Sequence, residues 1–135
     1  MSQENVESCK RCVDSFNRRD FEANLKELDP EVTGRAVLLA MVGGEETVYR
    51  GHEGVRELWR ELDEAFAAFQ IEISEIHDRG ERVVAIGHLH GRGKASGAEV
   101  ESPIGYVVEF KNGKAIRIDD YFDPKEALKA AGLSE

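Results

Sequence analysis

Arg82-Val83-Val84-Ala85-Ile86-Gly87-His88-Leu89-His90, Ser102-Pro103-Ile104-Gly105-Tyr106-Val107-Val108-Glu109-Phe110 and Ala115-Ile116-Arg117-Ile118-Asp119-Asp120-Tyr121-Phe122 follow one another in the second half of the chain. Each is rich in β-branched and aromatic residues, and turn residues separate them, which is the pattern of strands in a meander. Ser96-Gly97 marks one turn and Asn112-Gly113 the next. The second pair is a strong hairpin signal, because both residues tolerate the left-handed backbone of a two-residue turn. This sheet needs a cover, and the rest of the chain supplies it.

Working back from the meander, Ile71, Ile73 and Ile76 predict a further strand from Gln70 onward, turning at Asp78-Arg79-Gly80. Before Gln70 the spacing is helical. Val55, Leu58, Trp59, Leu62 and Phe66 form one apolar stripe of a helix that opens at Gly51-His52-Glu53-Gly54. Val6, Cys9, Val13 and Phe16 make a similar stripe on a first helix. Asp20 is placed to cap a second, short helix with Phe21, Leu25 and Leu28 inward, ended by Asp29-Pro30. Val32 to Val42 reads as a strand, Gly43 to Glu46 as a turn, and Thr47 to Arg50 as a returning strand. Asp123-Pro124 starts a last helix running through Leu128. Helices first and a strand meander last predict an α+β fold, expected as one domain over residues 1–135.

Composition narrows the partners. The net charge is −9, from 27 acidic and 18 basic residues, which argues against nucleic acid or an anionic membrane surface. No apolar run approaches the ~20 residues that cross a bilayer. Met1 to Asn5 is polar and acidic, so no secretory leader and a cytoplasmic location are expected. Cys9 and Cys12 form a Cys-x-x-Cys pair within a helical pattern, without a second pair for zinc or the strand-to-helix context of a redox site. They read as thiols on a helix face.

Tyr49-Arg50-Gly51-His52-Glu53-Gly54-Val55-Arg56-Glu57-Leu58-Trp59 closely resembles the SnoaL-like branch of the nuclear-transport-factor-2-like superfamily. Gly91 to Gly97, Lys111 to Ile116 and Ala127 to Leu133 resemble it as well. That group includes ketosteroid isomerases and polyketide cyclases, along with scytalone dehydratase and limonene epoxide hydrolase. The resemblance implies a cone: a strongly curved, mostly antiparallel sheet wrapped around three helices, with a cavity at the open end. It also implies a homodimer formed through the outer face of the sheet. Apolar residues on both faces of the strands, such as Val83 and Val84, are compatible with that. Fold of this kind does not fix function.

Alternation puts Ile116, Ile118, Asp120 and Phe122 on one face of the last strand. A carboxylate on an apolar face has its pKa pushed upward, which suits a general acid or base. The resemblance implies the same residue, since SnoaL-type cyclases carry their catalytic aspartate at the matching position. Tyr106, on the face shared by Ile104 and Val108, is a candidate donor to a ligand oxygen. The isomerase resemblance places the protonated aspartate of the oxyanion hole there. A core phenol is the bland alternative. By the same comparison the isomerase base falls at Ala36 and the isomerase tyrosine at Cys12, so standard 3-ketosteroid isomerisation is not expected. Arg35 is read as outward, away from Asp120.

His88 and His90 share a strand face and could ligate metal, yet no third ligand is evident. Alignment with the isomerases turns both outward, leaving Leu89 and the glycines Gly87, Gly91 and Gly93 inside, where they make room for the cavity. Trp59, Phe16, Leu58 and Phe66 are expected on its apolar wall, with Ile104, Ile118, Phe122, Leu89 and Ala36 completing the ligand contacts. No cofactor and no metal are expected. The expected function is a pocket for a small apolar, cyclic or polyketide-like ligand. It would act as a cofactor-free isomerase, cyclase, dehydratase or hydrolase, or serve as a non-catalytic carrier.

Overall fold

The computed structural model describes residues 2–133; Met1, Ser134 and Glu135 lie outside the described residues. In chain order the elements are α1 (Ser2–Asn17), α2 (Phe21–Leu25), β1 (Leu28–Ala36), a 3-10 helix (Leu38–Val42), β2 (Thr47–Arg50) and α3 (Gly51–Ala65). They continue with β3 (Phe66–Arg79), β4 (Arg82–Gly93), β5 (Glu99–Lys111), β6 (Lys114–Tyr121) and α4 (Pro124–Ala130). The strands form one six-stranded sheet in the order β2-β1-β6-β5-β4-β3. Only the β1–β6 pair is parallel. The fold is α+β, a curled sheet with α1, α2 and α3 on its concave side.

The N-terminal half differs from expectation at its joins. Helix α2 stops at Leu25, and Leu28-Asp29-Pro30 already belong to β1. Proline is tolerated at such a strand start, so it marks a strand rather than a helix end. The apolar run Val32 to Val42 is not one strand. Val37 and Leu38 are both buried, and consecutive buried residues fit a helical turn rather than an alternating strand. Gly43, at φ 91°, closes that turn. Strand β3 starts at Phe66, not Gln70, directly from the end of α3.

Polar side chains hold the helices to the sheet. Asn17 donates to the Ile71 carbonyl at 2.8 Å and accepts from the Ile71 N–H at 2.9 Å, so it continues the ladder of the edge strand β3. Asn5 donates to the Gly80 carbonyl at 2.8 Å, tying the start of α1 to the β3–β4 turn.

The sheet bends where β3 and β4 change register, between Ile73 and Glu75. Gly87 faces that bend, and a Cβ there would sit 1.9 Å from the Glu72 carbonyl oxygen. Its role is close backbone approach at the bend, not the enlargement of a cavity. On the convex face, Val84, Ile86 and Val107 pack under α4, against Ala127 and Ala131. Of the two valines compatible with an apolar outer face, Val84 is covered by α4 and Val83 lies in the inner core.

Candidate functional site

Ala36 on β1 is the small residue of the concave lining, where a longer side chain would fill the space. A cavity of about 110 Å³ lies over this part of the sheet. Cys12 and Phe16 of α1 and Val55, Leu58 and Trp59 of α3 form its helical wall. Tyr49 of β2, Ala36 of β1, Ile118 and Asp120 of β6 and Tyr106 of β5 form its sheet wall.

Asp120 is 6% exposed and faces this cavity. Tyr106 is its direct cross-strand partner on β5, so the phenol and the carboxyl stand side by side, with Cβ atoms ~5 Å apart. On the other side β1 runs parallel, in a register that pairs Arg35 with Asp119 and brings Ala36 up beside Asp120.

Burial pushes the Asp120 carboxyl well above the ordinary carboxylate range. A hydrogen bond from the Val37 N–H pulls the other way, the Asp119 charge pushes it further up, and Arg35 draws it down. Arg35 is turned outward, as expected: its guanidinium lies 4.9 Å from the centre of the Tyr121 ring and donates to Glu46 at 3.0 Å. It therefore leaves the carboxyl without an ion-pair partner. Burial also raises the Tyr106 and Tyr49 phenols, and the charge of Asp120 adds to both. The Cys9 thiol is lifted to about 11 by burial, and Cys12 is raised as well. Thiols so placed stay protonated and unreactive at neutral pH, which agrees with the reading of helix-face cysteines.

A family model for the SnoaL-like domain matches residues 9–118. This chain is a SnoaL-like domain. The search of curated proteins finds no match. Among solved structures, an NTF2-like protein of unknown function from Burkholderia pseudomallei superposes with a TM-score of 0.79 at 24% identity, covering 93% of this chain and 95% of that one. TerC, co-crystallised with polyporic acid, gives 0.75 at 23% identity over 96% and 97% of the two chains. A protein with a ketosteroid isomerase-like fold from Catenulispora acidiphila, in complex with trimethylamine, gives 0.74 at 14% identity over 94% and 93%.

Within the SnoaL-like domain, Phe16, Ala36, Leu58, Trp59, Tyr106, Ile118 and Asp120 all line the cavity. Four expected contacts do not. Ile104 and Leu89 point inward but have no exposed surface, because the concave face is solidly packed there. Phe66 is buried core and lies across Gly91, whose missing Cβ would be 3.2 Å from its ring. Phe122 follows the end of β6 and packs against the core from outside the lining. Ile116 is not on the Asp120 face either. The β5–β6 register pairs Glu109 with Arg117 and Phe110 with Ala115, so Ile116 is an extra residue and Ala115 takes the inward place.

His88 and His90 stand exposed on the convex face with ring centres 5.7 Å apart, while Leu89 points in. Among the described residues, no helix is long and apolar enough to cross a membrane. Among the lining residues that the sequence reading did not assign to the site, two carry hydrogen-bonding side chains of note. Tyr49 lines the cavity, and its only signal was the glycine opposite it. Asn24 lines it too, with its side-chain amide donating to the Cys12 carbonyl and the Ser15 hydroxyl, both at 3.1 Å. Trp59 is fixed by edge contacts to Phe16 and Phe21, and Arg19 stacks over it at 4.5 Å, paired with Asp63.

Proposed function

We propose that this SnoaL-like domain binds a small, largely apolar ligand in the cavity and moves a proton on it with Asp120. Tyr106 would steady the ligand oxygen on which charge develops. The observation that carries the reading is the buried carboxyl of Asp120, facing an apolar cavity directly beside a phenol. A carboxyl with an upward-shifted pKa can take a proton from carbon and return it elsewhere near neutral pH. A neighbouring hydroxyl donor stabilises the enolate that forms between the two steps. Such chemistry covers isomerisation, cyclisation and dehydration without a cofactor.

Exchange of deuterium from D₂O into the carbon next to the carbonyl of simple cyclic ketones tests the proton step without knowledge of the natural ligand. Wild-type protein should speed exchange above buffer, and Asp120→Asn should lower the rate by about 10²-fold or more with the fold unchanged. Equal rates in the two proteins would remove Asp120 from the mechanism. A second reading, a non-catalytic carrier, is favoured by Ala36, which stands in the lining beside Asp120 and can accept no proton. It predicts ketone binding with no exchange above buffer.

A further inference from the structure

Tyr49 has no part in the proton step just described, yet it belongs to the same wall. Its β2 position is opposite Gly34, and the ring lies across that glycine. A Cβ on Gly34 would be 2.4 Å from the Tyr49 hydroxyl oxygen and 2.2 Å from the Ile118 carbonyl oxygen. The hydroxyl therefore reaches over β1 to the seam with β6, the strand that carries Asp120. In sheet order the inward groups run Tyr49, Gly34 and Ala36, Asp120, Tyr106. The two phenols thus approach Asp120 from opposite sides.

Buried hydroxyls normally have a hydrogen-bond partner. Tyr49, across from Gly34, and Tyr106, across from Asp120, both line the cavity, so a molecule held there can supply that partner. Both donors thus remain available to a molecule in the cavity. No Lys, Arg or His is in the lining among the described residues. Arg35 stays outside the lining: its guanidinium donates to Glu46 at 3.0 Å and to the Asp120 backbone carbonyl at 3.4 Å, and lies over the Tyr121 ring. An anion in this cavity would find donors but no countercharge, beside a carboxyl and against apolar side chains, and desolvating it there is costly.

We propose that Tyr49 and Tyr106 grip one acceptor oxygen of the ligand from both sides of Asp120, so that the cavity selects uncharged carbonyl compounds over carboxylates of the same shape. This rests on the reading of the cavity as the ligand site, and it adds to that reading a residue and a charge rule. The apolar body of the ligand would lie toward Phe16, Leu58 and Trp59.

Trp59 is the chain's one tryptophan and lines the cavity, so its fluorescence reports occupancy directly. The probes are cyclohexyl methyl ketone, cyclohexanecarboxylate and isopropylcyclohexane, which share a shape and differ in charge and acceptor. At pH 7.5 the ketone should bind at least ~10-fold more tightly than the carboxylate. Tyr49→Phe keeps the ring over Gly34 and so keeps the fold. It should weaken the ketone about fivefold, as should Tyr106→Phe, and leave the hydrocarbon unchanged. Three results overturn the proposal: carboxylate binding as tight as ketone, ketone affinity unmoved in Tyr49→Phe, or no ketone binding at all. These binding results are independent of exchange rates. A protein whose Asp120→Asn variant still exchanges deuterium, but whose Tyr49→Phe variant loses ketone affinity, would refute the proton step and leave this inference standing.

Discussion

Gly34 sits where β1, β6 and the Tyr49 ring converge, and the atoms nearest its missing side chain are of two kinds. One is the Tyr49 ring, which could swing; the other is the Ile118 carbonyl, 2.2 Å from an added Cβ, which belongs to the backbone of the neighbouring strand. Gly34→Ala must therefore push apart the parallel pair that carries Asp120. Overpacking of this kind costs about 1–3 kcal/mol, to be read from urea denaturation. Removing the ring as well, in Gly34→Ala with Tyr49→Ala, should restore little, because the backbone contact remains. A single variant as stable as wild type would show that the seam yields freely. The same position explains what could be read from sequence at this scale. Asp120 and Tyr106 announced themselves, since each stands on the apolar face of its own strand. Tyr49 did not, because its meaning depends on a glycine 15 positions away, across a register known only from the fold.

Helix α4 is short, yet it covers the convex face. Its residues Ala127 and Ala131 are buried against Val84, Ile86 and Val107, and Gly105 lets it approach: a Cβ there would be 2.7 Å from that of Ala127. With only seven residues it depends on its first turn. The Asp123 carboxylate accepts from the Lys125 N–H at 2.9 Å, and Pro124 presets the backbone. Asp123→Ala should cost about 1 kcal/mol of folding stability and increase binding of a hydrophobic dye, as the helix frays and bares the valines. Stability within error of wild type would mean that packing alone holds α4. This element was legible because its signals are local, as were those of the hairpin at Asn112 and Gly113, both of which have positive φ. The run Val32 to Val42 was not. Its composition suits a strand throughout, and only the burial of Val37 and Leu38 together distinguishes the 3-10 turn.

At the scale of the whole molecule, the inward face could be read from the sequence but the cavity could not. Ile104 and Leu89 obey the same alternation as Tyr106, yet they are packed solid while Tyr106 borders space. Where space remains depends on the sum of side-chain volumes across six strands and the helices above them. The cost of burying Asp120 beside that space falls on the fold itself and gives it a pH dependence. In the unfolded chain an aspartate ionises near ~3.9. In the folded protein burial holds the proton to higher pH. Between the two values the folded state binds more protons than the unfolded one, so stability falls as pH rises. This contribution is fully present below the unfolded pKa and is lost as pH climbs through the folded one. The slope is at most about 1.4 kcal/mol per pH unit. Surface carboxylates such as Asp20, lowered by a backbone hydrogen bond from Ala23, and Glu57, lowered by its bond to Arg60, act in the opposite sense. They are common to wild type and to Asp120→Asn, so the difference between the two proteins isolates the buried group. From pH 4 upward that difference should turn progressively in favour of the asparagine variant and then level off once Asp120 ionises in the folded state. Parallel stability curves from pH 4 to 9 would mean that the carboxyl titrates alike in both states, and with that the acid-base role would lose its physical basis.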